Sequence, residues 1–379
     1  MKSIIKIAGI ISLMLIIGFF FAACGDGGGD TGGGGGMGGT GGTGGTGGGD
    51  TGGGGGTGGT GGTGGTGGGD IGGGGETGGT GGNKPVTFTA VANSTFGTND
   101  GIFAIAYGNG TFVAGSYGGK MATSADGITW TAVADSTFGT RYIDTIAYGN
   151  GTFVAVGETG PMATSADGVT WTAVNNTYNI NFGTIVYGNG KFVAAGQHML
   201  YSIAYSTNGT TWTVVDVRSI FGTESLNAIG AIAYGNGKFV AGGPGGKMAT
   251  SADGITWTAV TNSTFGTTTI NAIAYGGGKF VAVGYGKMAY STDGVTWTAV
   301  ADSTFDIYYN IFAIAYGNGK FVAGGTGSKI AYSTDGVTWT AVANSTFAAG
   351  TDTICAIAYG NGKFVAGGTG GKIAYWVDN

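Results

Sequence analysis

From residue 86 onward the chain alternates short apolar runs with breaks rich in Gly, Asn and Asp. Such a pattern predicts strands joined by tight turns, not helices. The unit that begins at Ala313 shows the plan. Ala313–Tyr316 reads as a first strand, and Gly317-Asn318-Gly319 as a hairpin turn. Lys320–Ala323 reads as a second strand and Lys329–Tyr332 as a third. Ser333–Gly336 turns the chain again, and Thr338–Val342 forms a fourth strand. Asn-Gly and Asp-Gly steps suit these turns because their central residues need positive φ. No helical period is expected after residue 24.

The unit recurs. Its signature tyrosines are Tyr107, Tyr148, Tyr187, Tyr234, Tyr275, Tyr316 and Tyr359, spaced by 41, 39, 47, 41, 41 and 43 residues. Four strands per unit with a period near 42 residues is the mark of a β-propeller. The predicted fold is all-β: seven blades of four antiparallel strands. The last repeat stops at Ala374-Tyr375-Trp376, without the Thr-Trp-Thr-Ala-Val strand that ends the others. Val86-Thr87-Phe88-Thr89-Ala90-Val91 matches that missing strand, with Phe88 in place of Trp. The N-terminal segment is therefore expected to complete the last blade, closing the ring and removing two open sheet edges.

Composition divides the chain. Of 379 residues 90 are Gly, and residues 25–82 are almost wholly Gly with Thr and a few Asp. Residues 31–50 and 51–70 are tandem copies that differ only at Met37 and Thr57. Such a segment has no side chains to bury and is expected to be a disordered tether, with a root-mean-square reach of roughly 40 Å. The expected organisation is a leader over 1–23, the tether over 24–84 and the propeller over 85–379.

The leader has Lys2 and Lys6 before the apolar stretch Ile7–Phe21, and then Ala22-Ala23-Cys24. This is the layout of an export signal. The run Phe21-Ala22-Ala23-Cys24 resembles the lipobox of bacterial lipoproteins, with Phe21 where Leu is usual. The resemblance implies that Cys24 is acylated and anchors an exported chain in the bacterial envelope, at the outer membrane or cell surface. The apolar run is short for a membrane span. The other cysteine, Cys355, falls in the strand pattern Ile354-Cys355-Ala356-Ile357 and is expected to be a buried thiol.

Charge is sparse: 15 Lys and Arg against 20 Asp and Glu, net −5. The two arginines, Arg141 and Arg218, stand apart, and no basic cluster forms. Nucleic acid is excluded as a partner. Six repeats carry Ser-x-Asp/Asn-Gly-x-Thr-Trp, with Asp126, Asp167, Asn208, Asp253, Asp293 or Asp335 in the turn. The motif resembles the Asp-box (BNR repeat) of sialidase-like propellers, where it is a structural corner away from the active site. Physically, the Asp accepts backbone N–H groups, Gly supplies positive φ and Trp packs over the turn. One carboxylate per turn is too few for calcium. Sialidases clamp their substrate with three arginines, and two arginines cannot supply that clamp. No cofactor or metal is expected, and a monomer is the expected state.

In a four-stranded blade the turns after strands one and three share one face, and the links after strands two and four share the other. The first set is nearly constant here, while the second varies. Candidate ligand-binding residues therefore lie on the variable face: Asp100, Arg141, Tyr142, Asp144, Arg218, Glu224, Asp306, Tyr308 and Tyr309. Tyr117, Glu158, Tyr178, Asn179, His198, Tyr285 and Asp352 share that face. Tyr beside Asp, Asn and Arg suits glycan or protein surfaces. A glycosidase would need two paired acids, and no spacing pairs any two; His198, the one histidine, has no metal or Ser partner in the pattern. The leading expectation is a non-catalytic binding or adhesion module. The alternatives are a scaffold for envelope protein assembly and, third, a glycan-acting hydrolase or lyase.

Overall fold

The computed structural model describes residues 86–157, 160–175, 180–197, 202–222 and 229–378. The leader, Cys24 and the tether lie outside them, as do Glu158, Tyr178, Asn179, His198 and Glu224.

Seven four-stranded antiparallel sheets form the domain. In six of them the strands lie side by side in chain order. The seventh takes Ile354–Gly360, Lys363–Gly368 and Ile373–Val377 from the C-terminal end and Thr89–Ala90 from the N-terminal end. Thr89 pairs with Tyr375 and Ala90 with Ala374. Phe88, fully buried, lies with its ring 6.2 Å from that of Trp376. The expected closure of the last blade by the N-terminal strand is what the structure contains.

The first strand of each blade is innermost: Ile102–Gly108, Thr145–Gly149, Asn181–Gly188, Ala231–Gly235, Ile270–Gly276, Ile311–Gly317 and Ile354–Gly360. Each packs against the first strands of both neighbours, and the last against the first, so blades 1 to 7 follow one another around a closed ring. The core is divided accordingly into seven clusters, each formed where two successive blades meet. Between blades 1 and 2, for example, Ala104, Val113 and Met121 meet Ile143, Phe153 and Trp171. A fully buried side chain of this size contributes about 1.5–3 kcal/mol; the ring is therefore held by its blade-to-blade seams.

Those seams have a fixed registration. The Gly that ends each inner strand lies under the signature Tyr ring of the next blade, from Gly108 under Tyr148 round to Gly360 under Tyr107. A side chain at any of these glycines would overlap the ring.

Four short helical elements depart from the sequence expectation among the described residues: the 3-10 turns Pro244–Gly246, Thr326–Ser328 and Thr369–Gly371, and Arg218–Phe221, which forms a single α-helical turn. The α-helical turn buries Phe221 completely in the seam between blades 3 and 4 and ends at Gly222, whose φ of 100° breaks the helix. The need to plug that seam, not a helical period, sets its conformation.

Candidate functional site at the mouth of the channel

The turn face is built as its chemistry predicts. In blade 1, Asp126 Oδ1 accepts hydrogen bonds from the N–H groups of Ile128 and Thr129 at 2.8 and 2.7 Å and from Ser124 Oγ at 2.9 Å. Gly127 has φ 74°, and Trp130 Nε1 donates to its carbonyl at 3.3 Å. Asp167, Asp253, Asp293 and Asp335 repeat the arrangement. Donation from the backbone N–H groups of Thr170 and Val169 and from Ser165 holds the Asp167 carboxyl down at about 2. Asp253 and Asp293 sit at about 2 for the same reason. In blade 3, Asn208 Oδ1 takes the same two backbone N–H groups, from Thr210 and Thr211, at 3.0 and 2.9 Å. Asn189 Nδ2 and Asn361 Nδ2 tie their hairpin turns to the next blade's Ala252 and Ala125 carbonyls at 3.2 Å, so both turn sets share this face. In blade 6 the indole departs from the pattern: Trp339 Nε1 is buried without a hydrogen-bond partner.

The opposite face carries the links. Five links after the fourth strand begin with the same corner, Asn/Asp-Ser-Thr-Phe, in which the Thr has φ between 64 and 69° and its N–H donates to the preceding Asn or Asp side chain. The links expected to vary are therefore constant over their first half. Lysines at the start of the third strands tie these links to the blades. Lys120 Nζ lies 2.8 Å from Asp100 and Lys372 Nζ 2.5 Å from Asp352, while Lys247 and Lys287 donate to the carbonyls of Phe221 and Phe265.

The candidates sort by this geometry. Asp100 is buried and accepts from Gly97 N–H at 2.7 Å as well as from Lys120, which makes it a loop-holding group. Arg218 is exposed and forks onto Asp216, two residues back, holding that carboxyl down at about 2. Asp306 is exposed on the rim, 3.5 Å from Lys329. Tyr309 packs into the blade 5–6 core beneath Lys329, whose Nζ lies 4.5 Å from the ring centre. Its neighbour Tyr308 is 76% exposed, next to Ile307 at 67%. Arg141 is exposed at the rim.

Tyr142 and Asp144 are brought together with groups from other blades. They line a cavity of about 860 Å³ at the variable-face mouth of the central channel. The origin of this mouth is a β-bulge. In blades 1, 3, 5, 6 and 7 the register of the first strand slips by one residue near its start, at Phe103, Gly183, Asn271, Phe312 and Cys355. A bulge re-aims the extra side chain. In blades 2 and 4 the equivalent residues, Asp144 and Gly230, immediately precede the strand. All seven line the cavity.

Around the ring this position reads Phe103, Asp144, Gly183, Gly230, Asn271, Phe312, Cys355. Two residues further along, the equivalent position is Ile in every blade, from Ile105 to Ile357, and these isoleucines also line the cavity in blades 1, 3, 4, 5, 6 and 7. A uniform aliphatic girdle thus underlies a ring in which the blades differ. The aromatic wall extends outward on two sides. Tyr142 lies 6.4 Å from Phe103 and 4.1 Å from Tyr117, centre to centre, and across the ring Tyr285 joins Asn310 by a β-bridge near Phe312. Asn271 Nδ2 donates to Asn310 Oδ1 at 3.2 Å and to the Ile311 carbonyl at 3.0 Å.

Phe103, Asn271 and Phe312 are not among the sequence candidates, because they fall inside strands assigned to the repeat. The signal was present as one irregular column between constant ones. Cys355 is corrected twice: its sulfur is disulfide-bonded, not a free thiol, and it is half-buried on the channel wall, since the bulge turns it out of the seam where alternation would have buried it. Among the described residues no three His, Cys, Asp or Glu side chains gather to hold a metal ion.

This geometry defines a seven-bladed β-propeller with a shaped channel mouth. Residues 87–229, the closing strand and the first three blades, match the model of the family described as DUF6242 beta propeller domain. No curated protein matches the chain in sequence. Among solved structures it is similar to YCF48 from Cyanidioschyzon merolae, at 16% identity and a TM-score of 0.59 over 76% of this chain and 98% of that one. It is similar too to YCF48 bound to D1 peptide, at 15% identity and a TM-score of 0.60 over 78% and 96% of the two chains. Virginiamycin B lyase from Staphylococcus aureus aligns at 10% identity and a TM-score of 0.60 over 77% and 98%. At these identities the likeness is one of fold.

Proposed function

We propose that the propeller is a non-catalytic recognition module that takes a glycan or protein ligand at the variable-face mouth of its channel. One observation carries this reading: the seven blades are near-copies at the turn face and the Ile girdle, and diverge in the ring from Phe103 to Cys355 that lines the cavity. A cavity with aromatic walls and a few placed polar groups is the usual form of a binding site. Among the described lining residues Asp144 alone carries a carboxylate, whereas glycoside hydrolysis uses two. The resemblance of the Ser-x-Asp-Gly turns to Asp-boxes supports a structural role for the other face.

The lipobox-like Phe21-Ala22-Ala23-Cys24 and the glycine tether support display of this module from an envelope membrane, at the outer membrane or cell surface. Radiolabelled palmitate should be incorporated into the full chain in a bacterial host, and not into Cys24→Ser. Incorporation that survives the substitution would remove the lipid anchor from the proposal.

Binding is tested by screening the purified full chain against glycans and extracellular proteins, with Gly230→Leu as comparison. A Cβ at Gly230 meets nothing nearer than the Ile270 carbonyl at 3.6 Å, so the larger side chain fills the mouth without forcing the backbone. Saturable binding lost in Gly230→Leu is expected. A ligand held equally well by the variant would place recognition elsewhere.

A second reading, a scaffold that holds other envelope proteins, is favoured by the exposed Ile307–Tyr308 tip on the rim. Exposed apolar pairs of this kind suit protein contacts, and the similar propeller YCF48 was solved with a peptide bound. Co-purification with envelope proteins that disappears in Tyr308→Ala would support it.

A further inference from the structure

We infer that the turn face lies on a lipid bilayer, docked by a ring of aliphatic tips that leaves the channel mouth facing away from the membrane. This goes beyond the recognition reading, uses no residue of the mouth, and shares with that reading only the anchor at Cys24.

Each Ser-x-Asp/Asn-Gly turn puts one residue at its outer corner, directly after the Gly. In blades 1, 2, 4, 5 and 6 that residue is Ile128, Val169, Ile255, Val295 or Val337. Four of these side chains are 36 to 53% exposed. The turn does not demand an aliphatic side chain. The corner residue supplies only its N–H, as Ile128 does to Asp126 at 2.8 Å, and in blade 3 Thr210 makes the same bond to Asn208 at 3.0 Å. Blade 7 lacks the motif, and its fourth strand comes from the N-terminal end. There Val86 stands two residues before Phe88, just as Val337 stands two before Trp339. Val86 therefore fills the seventh corner, and the glycine-rich stretch joins the propeller at that corner.

Three features choose the occupant. Equivalent corners of a closed ring lie on one circle, so the tips are close to coplanar and meet a flat surface together; an irregular protein surface would engage a few of them. Charge on this face is nearly balanced. Lys191, Lys238, Lys279, Lys320 and Lys363 follow its hairpin turns, against five Asp in the Ser-x-Asp-Gly turns. A strongly charged partner gains little from such a face, whereas aliphatic corners among mixed charges suit the boundary between headgroups and acyl chains. Lastly, the chain runs from this ring to the anchor proposed at Cys24. A linker holds its domain at an effective concentration on the order of millimolar, and shallow insertion of small tips is then enough.

All seven tryptophans lie on this side: six end the Asp-box motif, two residues after the corner, and Trp376 packs on Phe88. The leader and the glycine-rich stretch contain none. Tryptophan fluorescence of the full chain therefore reports on the turn face. The test is its quenching in phosphatidylcholine vesicles brominated near the headgroups, against unbrominated vesicles. Quenching is expected, and the double substitution Val169→Glu/Val295→Glu should cut it about threefold or more, with the same fraction of chain on the vesicles. Both positions are exposed, so the unfolding midpoint should stay near wild type. Tyr308→Ala, on the other face, should leave the quenching unchanged. Absence of quenching in vesicle-bound wild type would overturn the docking and leave the mouth and the anchor as they stand; so would equal quenching in the double variant. Self-association of the wild-type chain without lipid, lost in the double variant and accompanied by no quenching on vesicles, would assign the face to a second copy and overturn the bilayer.

Discussion

Gly360 lies directly beneath the ring of Tyr107, so the last blade meets the first through the same Gly–Tyr contact that joins every other pair of neighbours. The closure of the ring is thus a repeat of its internal seams, made between residues far apart in the chain. A methyl group on Gly360 would overlap the Tyr107 ring, and a closed ring leaves little room for relief. Gly360→Ala should cost about 1–3 kcal/mol, read as a lower unfolding midpoint in urea. An unchanged midpoint would show that the seams are looser than described.

The N-terminal strand should be as important as its fully buried Phe88 implies. Phe88→Ala removes a ring packed against Trp376 and should cost about 3–5 kcal/mol. The same seam holds an ion pair: Lys320 Nζ lies 2.8 Å from Asp378, whose side chain is 2% exposed, and Asn318 Nδ2 also donates to it. Lys320→Met leaves that carboxylate without its cation and should cost about 3 kcal/mol. Both losses are measured by equilibrium unfolding, and a change below about 0.5 kcal/mol in either would contradict this closure.

Acid should loosen the turn face in a defined window. The Asp167, Asp253, Asp293 and Asp335 carboxyls are held at about 2, below the ordinary carboxylate value of 3.8. Groups depressed on folding contribute their stability in full above the unfolded value and lose it as pH falls through the folded one. The thermal midpoint should therefore decline between about pH 4 and pH 2 through these groups. Asn208 shows that an amide can hold the same turn, so replacing all four by Asn should keep the fold and flatten the decline. An equally steep decline in that variant would assign the acid sensitivity elsewhere.

The repeat made the architecture readable. The Tyr spacing counted the blades, and the resemblance of Val86–Val91 to the strand absent after Trp376 pointed to the closure. The site was less readable, for a physical reason. Asp144 and Tyr142 stood out because they lie in a link, where variation is expected to face solvent. Phe103, Asn271 and Phe312 lie inside strands, and strict alternation assigns such residues to a seam; a one-residue bulge overrides alternation and turns them into the channel. Asp100 failed to stand apart as structural because its lysine partner, Lys120, is twenty residues away and meets it only in the folded blade. Tyr308 and Tyr309, adjacent in sequence, separate into an exposed tip and a packed core residue.

That separation sets the choice of surface variant. Tyr308→Ala should leave the unfolding free energy within about 0.5 kcal/mol of wild type, whereas Tyr309→Ala should lower it measurably by vacating the blade 5–6 core. Equal effects would contradict the packing described. Partner binding is best probed with Tyr308 alone.

The location of the site is tested most directly by a crystal structure of the full chain with a ligand from the binding screen. Ligand density is expected in the channel mouth, in contact with Phe103 or Phe312. Density on the opposite face, among the turns that hold Asp253 and Asp293, would contradict the assignment of recognition to the one ring in which the blades differ.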